Sequence, residues 1–275
     1  MSKRRRTILI VIALVVTAIG GAAAYVLRPG AHGSGFRLTS LTDPAAAKAA
    51  GDSLLGLRDA TVLVVVAHPD DLEYYAGGTA ISLAKNNKVI LLMGTSGEKG
   101  AGGWAGVAKV RERLQLETAK IAGYSEVVFL RHPDQGLGDA VTFPDEVKAA
   151  FQKYRPKAIL TFDAADEAVG YRHADHEAAG RTAAAVAQAL GGTTLYLFSS
   201  SKPDVIVDYA PVAETKAKAF AKVGDYRTAN PFYAGLVAPI LRLRNGPLGP
   251  TYGMRAGVPD VGVEFGEVFR QVIVK

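Results

Sequence analysis

The stretch that decides the fold reads VLVVVAHPDD and runs from Val62 to Asp71. Its first half is a run of β-branched and aliphatic residues, typical of a strand that is buried on both faces in a parallel sheet. The run stops at His68-Pro69-Asp70-Asp71. Because open α/β sheets bind ligands beyond the carboxyl ends of their strands, the stretch places an imidazole and two carboxylates at a predicted ligand site.

Segments that fit strands alternate with segments that fit helices along the rest of the chain. This alternation predicts an α/β fold: a Rossmann-like, doubly wound, largely parallel sheet with helices on both faces. Residues 230–257 are rich in Gly and Pro, and we expect residues 258–275 to add a terminal strand pair or a helix. The further predicted strands are Val89–Met93, Val127–Leu130, Ala158–Phe162, Thr193–Phe198 and Val205–Val207. The predicted helices are Pro44 onward with Asp43 as N-cap, Gly77 to Lys85, Val107–Ala122, Pro144 to before Pro156, the Ala-rich run ending at Gly191, and Pro211–Val223.

Residues 1–28 have the composition of a membrane-targeting segment. A tetrabasic run, Lys3 to Arg6, precedes about 21 residues without a charge, and roughly 20 are needed to cross a bilayer as a helix. Two interpretations fit: an uncleaved transmembrane anchor, which we favour, or a signal peptide cut after Ala22-Ala23-Ala24. Either one predicts export of the body, because the positive end stays in the cytoplasm. The predicted organisation is an anchor or signal segment at 1–28, a linker at 29–55 and one catalytic domain at 56–275.

The charge and the composition of the body exclude several classes of protein. Five of the 32 Lys and Arg residues flank the leader, so the other 27 nearly balance the 26 Asp and Glu residues. We therefore expect no nucleic-acid partner. There is no cysteine, so any metal must be bound by nitrogen and oxygen. Neither a dinucleotide fingerprint nor a P-loop follows the first strand.

Two short motifs contain three of the five histidines in the chain. The first is His68-Pro69-Asp70-Asp71, and the second is His173-Ala174-Asp175-His176 at the start of the Ala-rich helix. Taken alone, each motif also fits a structural role in which an aspartate caps a helix and the histidines are solvated. Because both motifs follow strands of one predicted sheet, however, their loops should converge at its carboxyl edge.

Together the motifs predict a hydrolytic metal centre. His68, Asp71 and His176 form a set of two imidazoles and one carboxylate that leaves positions open for water. This set suits catalytic Zn²⁺, and Fe²⁺ or Mn²⁺ would also fit. Asp70 would serve as general base, and His173 would stabilise an oxyanion or protonate the leaving amine. Asp175 would hold His173 in one tautomer.

These residues resemble the LmbE/PIG-L family of metal-dependent N-deacetylases. The resemblance covers roughly residues 60–225, and it implies zinc bound by His68, Asp71 and His176, with Asp70 as base and His173 at the oxyanion. It also implies substrate contacts by Glu98, Arg111 and Asp134. The residues that carry it are Ala67–Asp71, Glu73, Gly77-Gly78-Thr79, Ser96-Gly97-Glu98, Arg111, Asp134, His173–His176, Asp208, Lys216 and Glu267–Arg270.

Three further features have two interpretations each. Glu98 would contact substrate or brace the metal ligands, or else be a solvated loop carboxylate. Trp104, on a Gly-rich loop, would stack on a sugar face or belong to a small satellite core. The acidic loop at Asp163, Asp166 and Glu167 is expected to be mainly solvated charge.

The sequence therefore predicts a membrane-anchored, extracytoplasmic, metal-dependent N-deacetylase. The sugar preference, for an N-acetylglucosamine-type glycan, glycolipid or conjugate, comes from the family resemblance alone. Two alternatives stay open: a metallo-amidase or esterase that acts on a non-sugar substrate, and a non-catalytic glycan-binding protein anchored in the envelope.

Overall fold

The computed structural model describes residues 41–166, 173–227, 261–263 and 265–275. The predicted membrane segment at 1–28, the first part of the predicted linker and the Gly/Pro-rich stretch at 230–257 lie outside these residues. Within the described part of the chain, no helix is long and apolar enough to cross a membrane. The transmembrane helix and the domain boundaries remain predictions.

A single seven-stranded sheet forms the centre of the molecule. Its strands lie in the order β3-β2-β1-β4-β5-β7-β6. Neighbours among β1 to β5 are parallel, and β7 runs antiparallel to both β5 and β6. The predicted α/β class with a mostly parallel sheet is confirmed, although the sheet is mixed. The strands are β1 Thr61–Val66, β2 Lys88–Thr95, β3 Glu126–His132, β4 Ala158–Phe162, β5 Thr193–Phe198, β6 Val205–Asp208 and β7 Gly266–Val274.

Helices cover both faces of the sheet. A strand pair or a helix was expected at 258–275. Residues 266–274 form instead one strand, β7, which lies between β5 and β6 and pairs with both, while residues 258–260 and 264 lie outside the described part of the chain. The five-residue helix at Asp71 was not predicted, since so short a segment has no helical period. The helices are α1 Pro44–Leu55, α2 Asp71–Tyr75, α3 Gly77–Ala84, α4 Val107–Ala122, α5 Phe143–Tyr154, α6 Ala174–Leu190 and α7 Ala213–Val223, with 3₁₀ turns at Gly100–Gly102, Leu137–Asp139, Ala210–Val212 and Gly224–Arg227.

Strand β1 is the innermost element of the fold. Residues 62–66 are fully buried, as the run of Val and Leu predicts. The strand pairs with β2 on one side and with β4 on the other. Because the strand order reverses here, the carboxyl ends of β1 and β4 flank the switch point at which such sheets bind ligands.

Helix α1 belongs to the packed body, although it lies within the predicted linker at 29–55. Asp43 caps it through the backbone N–H of Ala46, and Pro44 occupies its first turn, as expected. Its Gly51 lies so close to β6 that an added Cβ would be 1.9 Å from the carbonyl oxygen of Ile206. The helix therefore covers the β6 end of the sheet.

Helix α6, which carries the second histidine motif, approaches the sheet closely at Gly180. A Cβ at this position would lie 2.4 Å from the carbonyl oxygen of Phe162, the last residue of β4. No L-residue with a side chain fits without a shift of the helix. The absence of a side chain at 180 thus sets how near His176 comes to the end of β4.

We predict that Gly180→Ala lowers the free energy of unfolding by about 1–3 kcal/mol, because backbone atoms cannot move as easily as a side chain. Gly138→Ala is the matched control: its new Cβ would be 3.9 Å from the nearest atom, the Cβ of Ala178, so we expect a change within about 0.5 kcal/mol. Urea denaturation of both variants measures the difference. Equal stability of the two would mean that α6 is not held against β4 at this point.

Candidate active site and metal centre

The carboxylate of Asp71 fixes the turn after β1. Its Oδ2 accepts hydrogen bonds from the backbone N–H groups of His68, at 2.8 Å, and Ala67, at 3.2 Å. Its Oδ1 lies 3.3 Å from Nε2 of His176, and Oδ2 lies 3.5 Å from Nδ1 of His68. All three side chains are buried. The turn therefore presents one carboxylate between two imidazoles, as predicted from the two motifs.

The charges in this cluster reinforce one another. Burial by itself would raise the pKa of Asp71, but His176 and His68 hold that pKa well below its usual range. Burial would lower the pKa of His68, yet Asp71, Asp134 and Asp175 raise it well above the ordinary value. The site is thus an ionised carboxylate pocket with a strong preference for positive charge.

The other nitrogen of His68 faces two more carboxylates. Nε2 lies 3.2 Å from Oδ1 of Asp134 and 3.3 Å from Oδ2 of Asp175. Asp134 also accepts the N–H of Lys99, and although burial opposes it, His68 and this N–H lower the pKa of Asp134 to about 2. Asp134, which was predicted to contact the substrate, therefore lies against His68, one of the three predicted metal ligands.

Asp175 is anchored differently from what the sequence predicts. Its carboxylate accepts the backbone N–H groups of Gln135, at 2.6 Å, and Leu137, at 3.0 Å, besides facing His68. Asp175 reaches His173 through its own backbone N–H, which donates to Nδ1 of that imidazole at 3.2 Å. His173 is the N-cap of α6, so the alternative structural role, in which an aspartate caps this helix, is not the one that the structure shows.

His173 lies beside the metal set. Its ring centroid is 4.7 Å from those of both His68 and His176. Burial and the two neighbouring imidazoles lower the pKa of His173, which favours its neutral form. On the far side, the ring of Phe162 stacks on His176 with 4.1 Å between centroids. Phe162 comes from the end of β4, so the strand orients one of the metal-set histidines.

Asp70 is held apart from this cluster in an uncommon backbone conformation. Its φ is +101°, a region that residues other than glycine rarely adopt. Its carboxylate accepts from the guanidinium of Arg111 at 3.1 Å and lies 3.4 Å from the hydroxyl of Tyr226. Asp70 therefore presents a second carboxylate beside the Asp71 cluster, oriented by a different set of neighbours.

The other predicted site residues support the site from behind. Arg111 is buried and also donates to the carbonyl groups of Pro69 and Gly97, so its described contacts are internal. Glu98 accepts the N–H of Asp134 at 2.7 Å, which agrees with a bracing role rather than a solvated one. Trp104 packs in a satellite cluster with Tyr226 and Val107.

The expectation of a solvated acidic loop after β4 is wrong for Asp163. This residue is buried and forms a two-point ion pair with Arg270 of β7, with N–O distances of 2.6 and 2.7 Å. Arg270 and Ser200 lower its pKa although burial opposes them. Nearby in sequence, Glu267 of β7 caps α3 through the N–H groups of Gly78 and Thr79 and pairs with buried Lys216. The carboxyl-terminal pattern thus fastens β7 to elements around the site.

Sequence reasoning missed Gln115, Tyr226 and Phe162 as residues of the site. Gln115 and the predicted site residue Arg111 are one helical turn apart, so polar residues at i and i+4 on the buried side of α4 were the available signal. The contacts of Tyr226 and Phe162 join distant segments, and no local pattern reveals them. Glu73 lies beneath the site, where burial raises its pKa to about 7.

Two overlapping groups of side chains have ligand atoms close enough together to share an ion. One is His68, Asp71 and His176, and the other is His68, Asp134, His173 and Asp175; within each, the atoms lie within 4.8 Å of one another. Ligands about 2.0–2.1 Å from a tetrahedral zinc ion are about 3.3 Å apart. The 3.3 Å between His176 Nε2 and Asp71 Oδ1 matches that spacing. Both the donor chemistry and the spacing of the first group fit a divalent metal.

Comparison with known families gives one match within the chain. Residues 63–188 match the model of the GlcNAc-PI de-N-acetylase (PIG-L) family. This segment contains both histidine motifs and all nine side chains assigned to the site from sequence. The match confirms the resemblance that the motifs suggest.

Solved structures share the fold. N,N'-diacetylchitobiose deacetylase from Pyrococcus horikoshii is 20% identical with a TM-score of 0.57, covering 92% of each chain. The conserved protein TT1542 from Thermus thermophilus is 23% identical, with a TM-score of 0.57 over 78% of this chain and 96% of its own. The 4-carboxy-2-hydroxymuconate hydratase of Pseudomonas putida KT2440 is 19% identical, with a TM-score of 0.56 over 78% and 97%. At these identities the likeness concerns the fold alone.

Histidine variants distinguish the two candidate metal groups. We expect His176→Ala to weaken Zn²⁺ binding by at least about 100-fold, because it removes a ligand of the first group, and His173→Ala to keep most of the affinity. His132→Ala is the control, since His132 pairs with Glu146 outside both groups. Competition titration with a chromogenic chelator measures the affinities. Loss of zinc in His173→Ala but not in His176→Ala would assign the ion to the second group.

Proposed function

Because residues 63–188 match the model of the PIG-L family, we propose that the chain is a zinc-dependent hydrolase that removes the N-acetyl group from an N-acetylglucosamine-type substrate. The family assignment supports an N-deacetylase hydrolase. The zinc ion and the sugar are our proposal. The observation that carries it is the buried group of two histidines and Asp71 at the switch point, with Asp70 held separately beside it.

The residues that would hold the ion are His68, Asp71 and His176. Because Asp134 and Asp175 both face Nε2 of His68, a proton on that nitrogen leaves Nδ1, on the side of Asp71, as the lone pair for a metal. When bound, a zinc ion lowers the pKa of a water ligand toward about 7 and polarises a carbonyl group. Fe²⁺ and Mn²⁺ are also compatible with this donor set.

Asp70 takes the proton of the attacking water. The water oxygen forms a bond to the amide carbonyl carbon while one proton moves to a carboxylate oxygen of Asp70. The C–N bond then breaks, and the proton held by Asp70 passes to the nitrogen. The products are an amine and acetic acid, which keeps the second proton of the water until it ionises to acetate. Arg111 and Tyr226 keep the Asp70 carboxylate in one orientation during both transfers.

His173 stabilises the developing oxyanion. Its Nδ1 accepts the N–H of Asp175, so the proton of the neutral ring is on Nε2, which is then a donor. The lowered pKa of His173 keeps the ring neutral near pH 7. A neutral, oriented donor suits a charge that appears only during the reaction.

The proposed substrate class comes from the family and from the leader of the chain. PIG-L family members are described as GlcNAc-PI de-N-acetylases, and one structural neighbour is a diacetylchitobiose deacetylase. The hydratase among the neighbours has the same fold, so the fold does not choose the substrate. With residues 1–28 as an anchor, the catalytic domain would face an envelope glycan, a glycolipid or a secreted sugar conjugate outside the cytoplasm.

A panel of N-acetylated sugars, N-acetylated amino acids and acetyl esters tests this substrate class. We expect the zinc-loaded chain to release acetate and free amine in equal amounts from an N-acetylglucosamine derivative, because hydrolysis of one amide bond yields one molecule of each. Mass spectrometry and an acetate assay give the two yields. Turnover of only the esters or the amino acids would replace the sugar substrate, and no turnover with any of the divalent ions would contradict hydrolysis.

We predict that Asp70→Asn lowers kcat by about 100-fold or more, because an amide cannot accept the proton of water at neutral pH. Bound metal should remain at the parental level, since Asp70 is outside the ligand group. Asp145→Asn, an exposed aspartate in the first turn of α5, is the matched control. Steady-state kinetics and metal analysis of both variants decide the role, and parental turnover of Asp70→Asn would remove Asp70 from it.

A further inference from the structure

Two side chains of helix α4, one helical turn apart, contact Asp70. Arg111 and Gln115 are both buried, with Gln115 fully so. Arg111 donates to the Asp70 carboxylate and to the carbonyl oxygen of Pro69. Gln115 accepts the backbone N–H of Asp70 through Oε1 at 3.2 Å. One helix therefore contacts Asp70 at its backbone and at its side chain.

The contact with Gln115 concerns a strained backbone. Asp70 adopts φ +101° without being glycine, and such a conformation persists only where the surroundings enforce it. The turn has its own lock at Asp71, whose carboxylate binds the N–H groups of Ala67 and His68. Gln115 is the described partner of the Asp70 N–H. Gln115 therefore contacts Asp70 directly, and the hydrogen bonds of the Asp71 carboxylate do not involve Gln115.

A second contact fixes the orientation of the Gln115 amide. Its Nε2 donates to Oε1 of Glu73 at 3.1 Å. The Asp70 N–H can only donate, so Oε1 must face it and Nε2 must face the Glu73 carboxylate. Glu73 is fully buried in α2, three residues beyond Asp70. The amide thus joins the backbone of Asp70 to the side chain of Glu73, on either side of Asp71.

From these contacts, and resting on the proposed function, we infer that Gln115 is a positioning residue that holds Asp70 in the conformation in which it takes the proton of water. Gln115 does not touch the reacting atoms. It acts through the backbone of Asp70, whereas Arg111 acts on the Asp70 carboxylate. The inference requires at position 115 an acceptor for the Asp70 N–H and a donor to the carboxyl group of Glu73.

Gln115→Met tests the inference, because it keeps the length of the side chain and removes both hydrogen bonds. We expect kcat to fall about 10- to 100-fold, the range for displacement of a catalytic group, with KM and bound zinc near the parental values. Thr118→Val is the matched control: Thr118 is a fully buried polar residue on the same helix, and its hydroxyl contacts the carbonyl of Ala219 at 3.5 Å. This control should keep the parental kcat.

A swap of donor and acceptor separates positioning from simple packing. In Glu73→Gln with Gln115→Glu, the carboxylate at 115 again accepts the Asp70 N–H, and the amide at 73 donates to it. We expect this double variant to return to within about fivefold of the parental kcat, whereas Gln115→Glu alone stays low. If Gln115→Met does not fold, the swap carries the test, and low activity of the folded swap overturns the inference.

Hydrogen exchange at the Asp70 amide gives a readout that needs no turnover. Faster exchange in Gln115→Met than in Thr118→Val supports the inference, and unchanged exchange overturns it. Parental kcat in Gln115→Met, or loss of zinc in proportion to kcat, also overturns it. If the parent itself releases no acetate, the proposed function fails, and the exchange rate still decides whether Gln115 holds Asp70.

Discussion

The site depends on the carboxylate of Asp71, whose two oxygens contact different parts of the chain. Oδ2 of Asp71 caps the N–H groups that end β1, and Oδ1 meets His176 at the start of α6, more than 100 residues later in the chain. Hydrogen bonds to backbone N–H groups and nearby imidazoles stabilise the ionised form of a carboxylate. The same interaction therefore sets the shape of the turn, keeps Asp71 charged and joins the two histidine motifs.

The topology of the sheet explains why these motifs meet. β1 and β4 are neighbours although two strands separate them in sequence, so the loops at their carboxyl ends share the switch point. Gly180 lets α6 approach the end of β4, where Phe162 stacks on His176. Arg270 and Glu267 of β7 then fasten the loop after β4 and the start of α3. The predicted metal ligands thus lie beyond the ends of two neighbouring strands: His68 and Asp71 follow β1, and His176 is in α6, which follows β4.

The central strands and the grouping of the two histidine motifs could be predicted from the sequence, because they depend on local residue patterns. The run from Val62 to Val66 forms the central strand, and Ala158–Phe162 and Thr193–Phe198 have the predicted bounds. The grouping of His68 with Asp71 and His176 also follows from two motifs at strand ends.

The features that could not be read from sequence depend on pairs that form only in the fold. The carboxylate of Asp175 lies against His68, and Asp163 is paired with Arg270 from 107 positions away. A buried carboxylate needs a partner, because an unpaired internal charge costs free energy, but the sequence does not indicate which residue that partner is. Likewise, the positive φ of Asp70 occurs beside contacts from Gln115 and Arg111 of α4, and no local pattern predicts those contacts.

Anomalous diffraction at the zinc absorption edge, from crystals of the zinc-loaded chain, tests the central claim most directly. We predict one strong anomalous peak within bonding distance of His68, Asp71 and His176, with Asp70 outside that distance. A peak bound instead by Asp134, His173 and Asp175 would contradict it, because the carboxylates assigned here to orienting His68 would then be the ligands.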